Sequence, residues 1–198
     1  MTRHRRTLLA ATLLLVAGCG PDPTAPGGTP ASPEASTAAA TGSFNETDVM
    51  FLQMMVTHHG QTLELVRLAE TRARRAELKT LAAAIDVTQA DERETMRDWL
   101  RDWGRATSAD PDAYAHADHG GLPATGPEQV AALARSTGAE FETAFLNLLI
   151  AHQHNAVEMA RTEVRSGVDP EARELARRID LSRTAQIDQM LKLLEPGG

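Results

Sequence analysis

The sequence predicts an all-α protein, a four-helix bundle built from two copies of one helical hairpin, with a short extra helix in the crossover loop. Three observations carry this. Aromatics are only 4% of the 198 residues, whereas Ala, Leu, Arg and Glu are common, a composition that favours helix over sheet. Apolar residues recur at helical spacing from Phe51 onward. Finally, FLQMMVTHHGQTLELVRLA (51–69) returns 94 residues later as FLNLLIAHQHNAVEMARTE (145–163). LAAAIDVTQADERETMRDWL (81–100) and LARRIDLSRTAQIDQMLKLL (175–194) share that offset without a gap. Two regions at one offset read as a duplicated hairpin. Each hairpin alone exposes an apolar stripe, and pairing buries both.

Residues 1–19, MTRHRRTLLAATLLLVAGC, have a basic start and an apolar run from Leu8 to Ala17. This is a secretory signal, too short to span a membrane comfortably. Its end, Val16-Ala17-Gly18-Cys19, resembles a bacterial lipobox, in which the cysteine sulfur receives a diacylglycerol. The expectation is lipidation at Cys19, giving a protein anchored to a membrane rather than spanning it. The alternative is a cleaved signal and free secretion. Residues 20–43, rich in Pro, Gly, Ala, Ser and Thr, read as a disordered tether. The folded domain then occupies 44–196.

Its first helix starts within Ser43–Thr47, where Ser, Asn and Thr offer caps and Glu46 and Asp48 suit the first turn, and runs to about Arg74. The second runs from about Ala76 to Trp103, with Leu78, Leu81, Ala82, Ile85, Thr88, Met96, Trp99 and Leu100 at helical spacing and Gly104 as its stop. Residues 105–126 are a loop holding His116 and His119. A short helix begins at Pro127 and ends near Ser136. Thr137 or Gly138 introduces the third long helix, to about Ser166, with Gly167 as C′ residue. Asp169-Pro170 caps and starts the fourth, to about Glu195.

The net charge is −7, and beyond residue 19 there are 17 basic against 27 acidic residues. An acidic domain without a basic block is a poor nucleic-acid binder and a tolerant host for cations. With Cys19 the only cysteine, internal disulfides and multi-thiolate zinc sites are excluded.

The domain's six histidines fall in pairs: His58/His59, His116/His119 and His152/His154. Successive helical residues turn by about 100°. On that wheel His59 lies near the centre of the buried stripe and His58 roughly 60° away on its flank. His152 takes the same flank in the second copy. Gln153 replaces the central histidine, and His154 falls toward solvent. Methionines stand near each flank histidine. Met54 precedes His58 and Met55 precedes His59 by one turn, while Met159 follows His152 by two. Imidazole plus thioether is a soft ligand set suited to Cu(I) and, through imidazole, to Cu(II). The metal candidates are therefore His58, His59, His152, Met54, Met55 and Met159, with His116 and His119 able to close from the loop. The competing reading makes these histidines packed core groups that fix the hairpin pairing. Met96 and Met190 read as core packing, Glu64 and Glu158 as solvated, and Asp86 and Asp180 as arginine partners.

The arrangement F-L-x-x-M-[IV]-x-H-H, seen twice, resembles the bacterial family called domain of unknown function 305. Phe51, Leu52, Met55, Val56, His58 and His59 carry the match in the first half, followed by Gln89, Glu92 and Met96. In the second half Phe145, Leu146, Ile150, His152, Ala156, Met159 and Ala160 carry it, followed by Ile187 and Met190. The chain departs from the pattern at Leu65, Leu149 and Gln153. The resemblance covers roughly residues 45–195 and implies a ferritin-like fold and copper handling through Met and His.

The resulting expectation is a non-enzymatic, lipid-anchored protein on the outer face of the cell membrane that buffers or passes on copper, as Cu(I) or Cu(II). A metal-free envelope module is the alternative. A carboxylate-bridged di-iron oxidase would need Glu-x-x-His on two helices, and no histidine here has Glu three positions before it.

Overall fold

The computed structural model describes residues 43–109 and 125–195. The signal with Cys19, the tether up to Thr41–Gly42, and the loop residues His116 and His119 lie outside the described residues.

The described residues form helices and connecting turns. They comprise α1 (Glu46–Arg72), α2 (Ala76–Asp102), α3 (Pro127–Arg135), α4 (Gly138–Ser166) and α5 (Pro170–Leu194). The helices α1 and α2 make one hairpin and α4 and α5 the other. The two join mainly through α1 against α4, while α3 lies on the α1/α4 side. This is the four-helix bundle with a short crossover helix that the repeat predicts.

The helix ends follow from local chemistry. Asn45 Oδ1 accepts the Asp48 amide at 3.0 Å and Asp48 accepts the Asn45 amide in return, a closed capping box. Gly104, just past α2, has φ +66°, where a side chain is strained. Asp169 Oδ1 caps α5 by accepting the Glu171 and Ala172 amides at 3.0 and 2.8 Å. Gly167 corrects the sequence expectation. It ends α4 in extended backbone, φ −69° and ψ 157°, rather than in the left-handed region. Glycine is needed there for space. A Cβ would collide with the Glu163 carboxyl and stand 2.7 Å from Asp48 Oδ1. Thr88 is a second correction. It is exposed and bonds the Ala84 carbonyl of its own helix, while Gln89 takes the interior position.

The duplication governs contacts as well as sequence. Asp48 accepts the Val168 and Asp169 amides of the α4–α5 turn, both at 3.0 Å. Ninety-four residues on, Glu142 accepts the Arg74 and Arg75 amides of the α1–α2 turn at 2.6 and 2.9 Å. Each hairpin therefore closes the turn of the other with a buried carboxylate, a charge-assisted bond stronger than a neutral one. Arg67–Asp86 and Arg161–Asp180 are equivalent surface pairs, and Val87 and Leu181 are equivalent exposed apolar residues. The core has two apolar halves. One centres on Leu65, Ile85, Phe145, Leu149 and Met190, the other on Leu52, Met55, Met96, Leu100, Ala160 and Ile179. A polar layer divides them.

Candidate functional site

That layer is made where α1 and α4 cross. The His58 and His152 rings stack with centroids 3.6 Å apart and planes inclined 15°. His58 Nε2–H donates to the His152 carbonyl at 2.9 Å, and His152 Nε2–H returns the bond to the His58 carbonyl at 3.2 Å. These reciprocal bonds put the local twofold axis between the rings. His152 Nε2 also lies 3.0 Å from Thr62 Oγ1, and its Nδ1 accepts from Thr125 Oγ1 at 2.9 Å. Burial, then the charge of the neighbouring histidine, holds His58 well below the usual imidazole range. Burial brings His152 down to about 4. Both rings are neutral at pH 7, with the proton on Nε2.

His59, fully buried, donates Nε2–H to Glu92 Oε2 at 2.8 Å. Burial lowers it to about 4 even though that carboxylate works the other way. The same Glu92 oxygen takes the buried Arg183 guanidinium. Against the cost of its own burial, the His59 and Arg183 bonds hold Glu92 below the ordinary carboxylate range. The duplicated positions carry different chemistry. Gln153 donates to Gln186 at 2.7 Å where the first half has His59 and Glu92, and Gln89 stands where the second half has Arg183. The His59–Glu92 pair of the first half, joined by Arg183 from the second, stands where the other side has the Gln153–Gln186 amide pair.

The histidines' capacity for metal follows from these bonds. With each Nε2 donating, the lone pairs lie on Nδ1. That of His152 is taken by Thr125, while those of His58 and His59 have no partner among the described residues. The His58 and His59 rings are 6.2 Å apart and inclined 59°. A guanidinium, itself a cation, stands 3.4 Å from His59. Among the described residues no three His, Cys, Asp or Glu side chains are grouped to hold a metal ion.

A second grouping lies toward the α1 N-terminus. Met50 and Met54, one turn apart on α1, and Met159 on α4 line a void of about 10 Å³, together with Thr47, Phe51, Thr162 and Glu163. That volume admits a single atom-sized guest. Met50 is half-buried, so the void reaches the surface beside it. Glu163 is fully buried, and its carboxyl is hydrogen-bonded to the Asp48 side chain. Burial first, then the hydrogen bond to Asp48 and the charges of Asp48 and Asp169, push it up to about 9. It is held as the neutral acid at pH 7.

The predicted residues thus fall into two places. His58, His59 and His152 meet in the polar layer, and Met54 and Met159 meet at the void. Met55 is fully buried in the apolar core between them, and His154 is exposed. Met50, Glu163 and Arg183 were not singled out, and Gln89 entered only through the family resemblance. Met50 stands one turn before Met54 and Glu163 one turn after Met159, so i, i+4 spacing marked both. The offset of 94 links Gln89 with Arg183.

The profile of the family "Domain of unknown function (DUF305)" matches residues 48–194. Among solved structures, a DUF305 protein from Streptomyces coelicolor is 28% identical, with TM-score 0.68, covering 79% of this chain and 92% of that one. A DUF305 fragment from Deinococcus radiodurans is 29% identical, TM-score 0.67, covering 76% and 96%. CopM in its Cu(I)-bound form is 29% identical, TM-score 0.64, covering 75% and 96%. CopM was also solved in Cu(II)-bound and Ag-bound forms. Comparison with curated protein sequences gives no match.

Proposed function

The chain belongs to the DUF305 family, and from that premise we propose that it is a copper-binding protein, non-enzymatic, that buffers or transfers the metal outside the cytoplasm. The observation that carries this reading is the thioether-lined void. Met50, Met54 and Met159 come from two helices to a space the size of one ion. Thioethers select Cu(I) and its soft analogue Ag(I) over hard cations. The likeness to CopM, solved with Cu(I), Cu(II) and Ag, supports copper as the cargo. In this reading the layer of His58, His59 and His152 is the frame that fixes how the hairpins cross. Its ring nitrogens are spent largely on carbonyls, hydroxyls and Glu92.

The basic-then-apolar leader and the Cys19 lipobox support export and a lipid anchor, with the 20–43 tether holding the domain off the bilayer. Among the described residues no helix is long and apolar enough to cross a membrane. A Cys19→Ser chain moves from the membrane to the soluble fraction on this reading, and its retention in the membrane would sink the anchor.

The metal assignment is tested by titrating the chain with Cu(I) and Ag(I) against a competing chelator. Replacing Met54 and Met159 together by Leu preserves volume and should weaken binding about tenfold or more. A His58→Ala/His152→Ala chain should lose stability and keep most of its affinity. Unchanged affinity in the methionine variant, or loss in the histidine variant alone, would refute the methionine site.

A further inference from the structure

Helix α5 carries on its outer face a pattern that its duplicate α2 lacks. Leu175, Ile179, Arg183, Ile187 and Met190 turn inward. On the opposite side Arg177, Leu181, Thr184, Asp188, Leu191 and the C-cap residue Glu195 are all exposed. Leu181 is 73% exposed and Leu191 48%. Steps of four and three residues alternate along this row, the spacing of a seam between two packed helices.

The row is also complementary to itself. Set antiparallel to its own copy about Gln186, it brings Arg177 to Glu195, Leu181 to Leu191 and Thr184 to Asp188. Just outside the row, Asp180 meets Lys192. Opposite charges meet, leucine meets leucine, and a hydroxyl donor meets a carboxylate. The same operation on α2, about Glu92, sets Ala83 against Arg101, Val87 against Arg97 and Ala90 against Glu94. There an apolar side chain meets a charge at every step. Duplication gave both helices an outer face, and only that of α5 matches itself.

A groove runs beside the row. Between α4 and α5, Val164 and Leu181 with Arg161, Arg165, Arg177 and Asp180 line a space of about 380 Å³ open to solvent. At the duplicated positions the first half has Glu70, Thr71 and Ala83 in place of Val164, Arg165 and Arg177. The contacts that the row makes within its own chain are exposed ones, Arg177 with Glu174 at 3.2 Å and Thr184 with Asp180 at 3.4 Å. Surface pairs of this kind contribute little, so exchanging them costs little.

We propose that this face binds a second copy of the chain, α5 against α5, antiparallel about a twofold axis at Gln186. Leu191 of the second copy enters the groove beside Leu181 and Val164, and its Glu195 meets Arg177 at the rim. Such a contact is isologous, so it closes at two copies and cannot propagate. Charge sets the direction. A parallel pairing would place Arg177 on Arg177 and Asp188 on Asp188, which like charges disfavour.

The test is sedimentation equilibrium of the full chain, in density-matched detergent that keeps residues 1–19 from associating. Every substituted position is exposed, and circular dichroism verifies each fold. The parent chain should pass from monomer to dimer as its concentration rises. Leu181→Glu/Leu191→Glu should stay monomeric where the parent is dimeric. Arg177→Glu and Glu195→Arg should each raise the dissociation constant about tenfold or more. The chain carrying both should return close to the parent value, because each pair then meets with its charges exchanged. A parent that is monomeric at every concentration would overturn the proposal, as would a dimer that survives Leu181→Glu/Leu191→Glu. A double charge exchange as weak as the single changes would overturn the antiparallel pairing.

Discussion

At the scale of single residues, the clearest chemistry is the Glu92–Arg183 pair with His59 as third member. Arg183 is fully buried. A buried guanidinium is tolerable only with its carboxylate, and removing one partner of such a pair typically costs about 3–5 kcal/mol. Glu92→Gln alone should therefore destabilise strongly. A Glu92→Gln/Arg183→Gln chain, which copies the duplicated positions Gln186 and Gln89, should recover much of that loss. Urea unfolding of the two singles and the double measures this, and additive losses would mean the groups are not coupled. Arg183 also shows where reading from sequence stopped. Helical spacing marks the face of α5 that carries Ile179 and Ile187, yet an arginine on such a face reads as a surface group that snorkels outward. Only the carboxylate on another helix makes its burial possible, and that partner is 91 residues away. His58 and His152 read as the flank of the stripe, while His59 was legible as interior from the wheel alone. Their bonding partners were not, because Glu92, Thr125 and the two carbonyls come from other segments.

At the scale of elements, helix boundaries were legible to within about two residues, since each end has a local cause such as Asn45, Gly104, Pro127 or Asp169. What local sequence could not show is the exchange of volume at the end of α4. The first half has Ala69 and Ala73, one turn apart; the second has Glu163 and Gly167 at the same places. The larger residue at 163 removes the space for any side chain at 167. Gly167→Ala should therefore destabilise by about 1–3 kcal/mol, the usual cost of overpacking. The same change made with Glu163→Ala, restoring the Ala–Ala pair of the first half, should cost far less. Thermal unfolding of the single and double variants decides it, and equal losses would locate the cause in the backbone rather than in the carboxyl.

At the scale of the whole molecule, two sets of buried groups oppose each other along the pH axis. His59 and His152 titrate near 4 when folded, against 6.5 when free. Between those values the unfolded chain binds more protons, so their contribution is complete above 6.5 and is lost as pH falls toward 4. Glu163 runs the other way. Its folded value of about 9 lies above 4.5, so the folded chain binds the extra proton and stability drains as pH rises through that window. With His58 also held low, the histidines outweigh the one acid below the free imidazole value, and the acid acts alone above it. Metal-free stability should therefore peak near pH ~6.5. Urea midpoints across the range should fall on both sides, and Glu163→Gln should flatten only the alkaline side. A midpoint that rises steadily with pH would contradict the account. The bundle itself was legible as a whole because its repeat is ungapped, but the exchange of turn-closing acids was not. Asp48 and Glu142 each look like ordinary first-turn acids of their own helices. That exchange has a consequence for how the chain comes together. Neither hairpin possesses the group that finishes its own bend, so each is an incomplete object that its sibling completes. A nick in the crossover would leave both halves with their keys in each other's locks, and mutual recognition, rather than the covalent link, is what makes them one body.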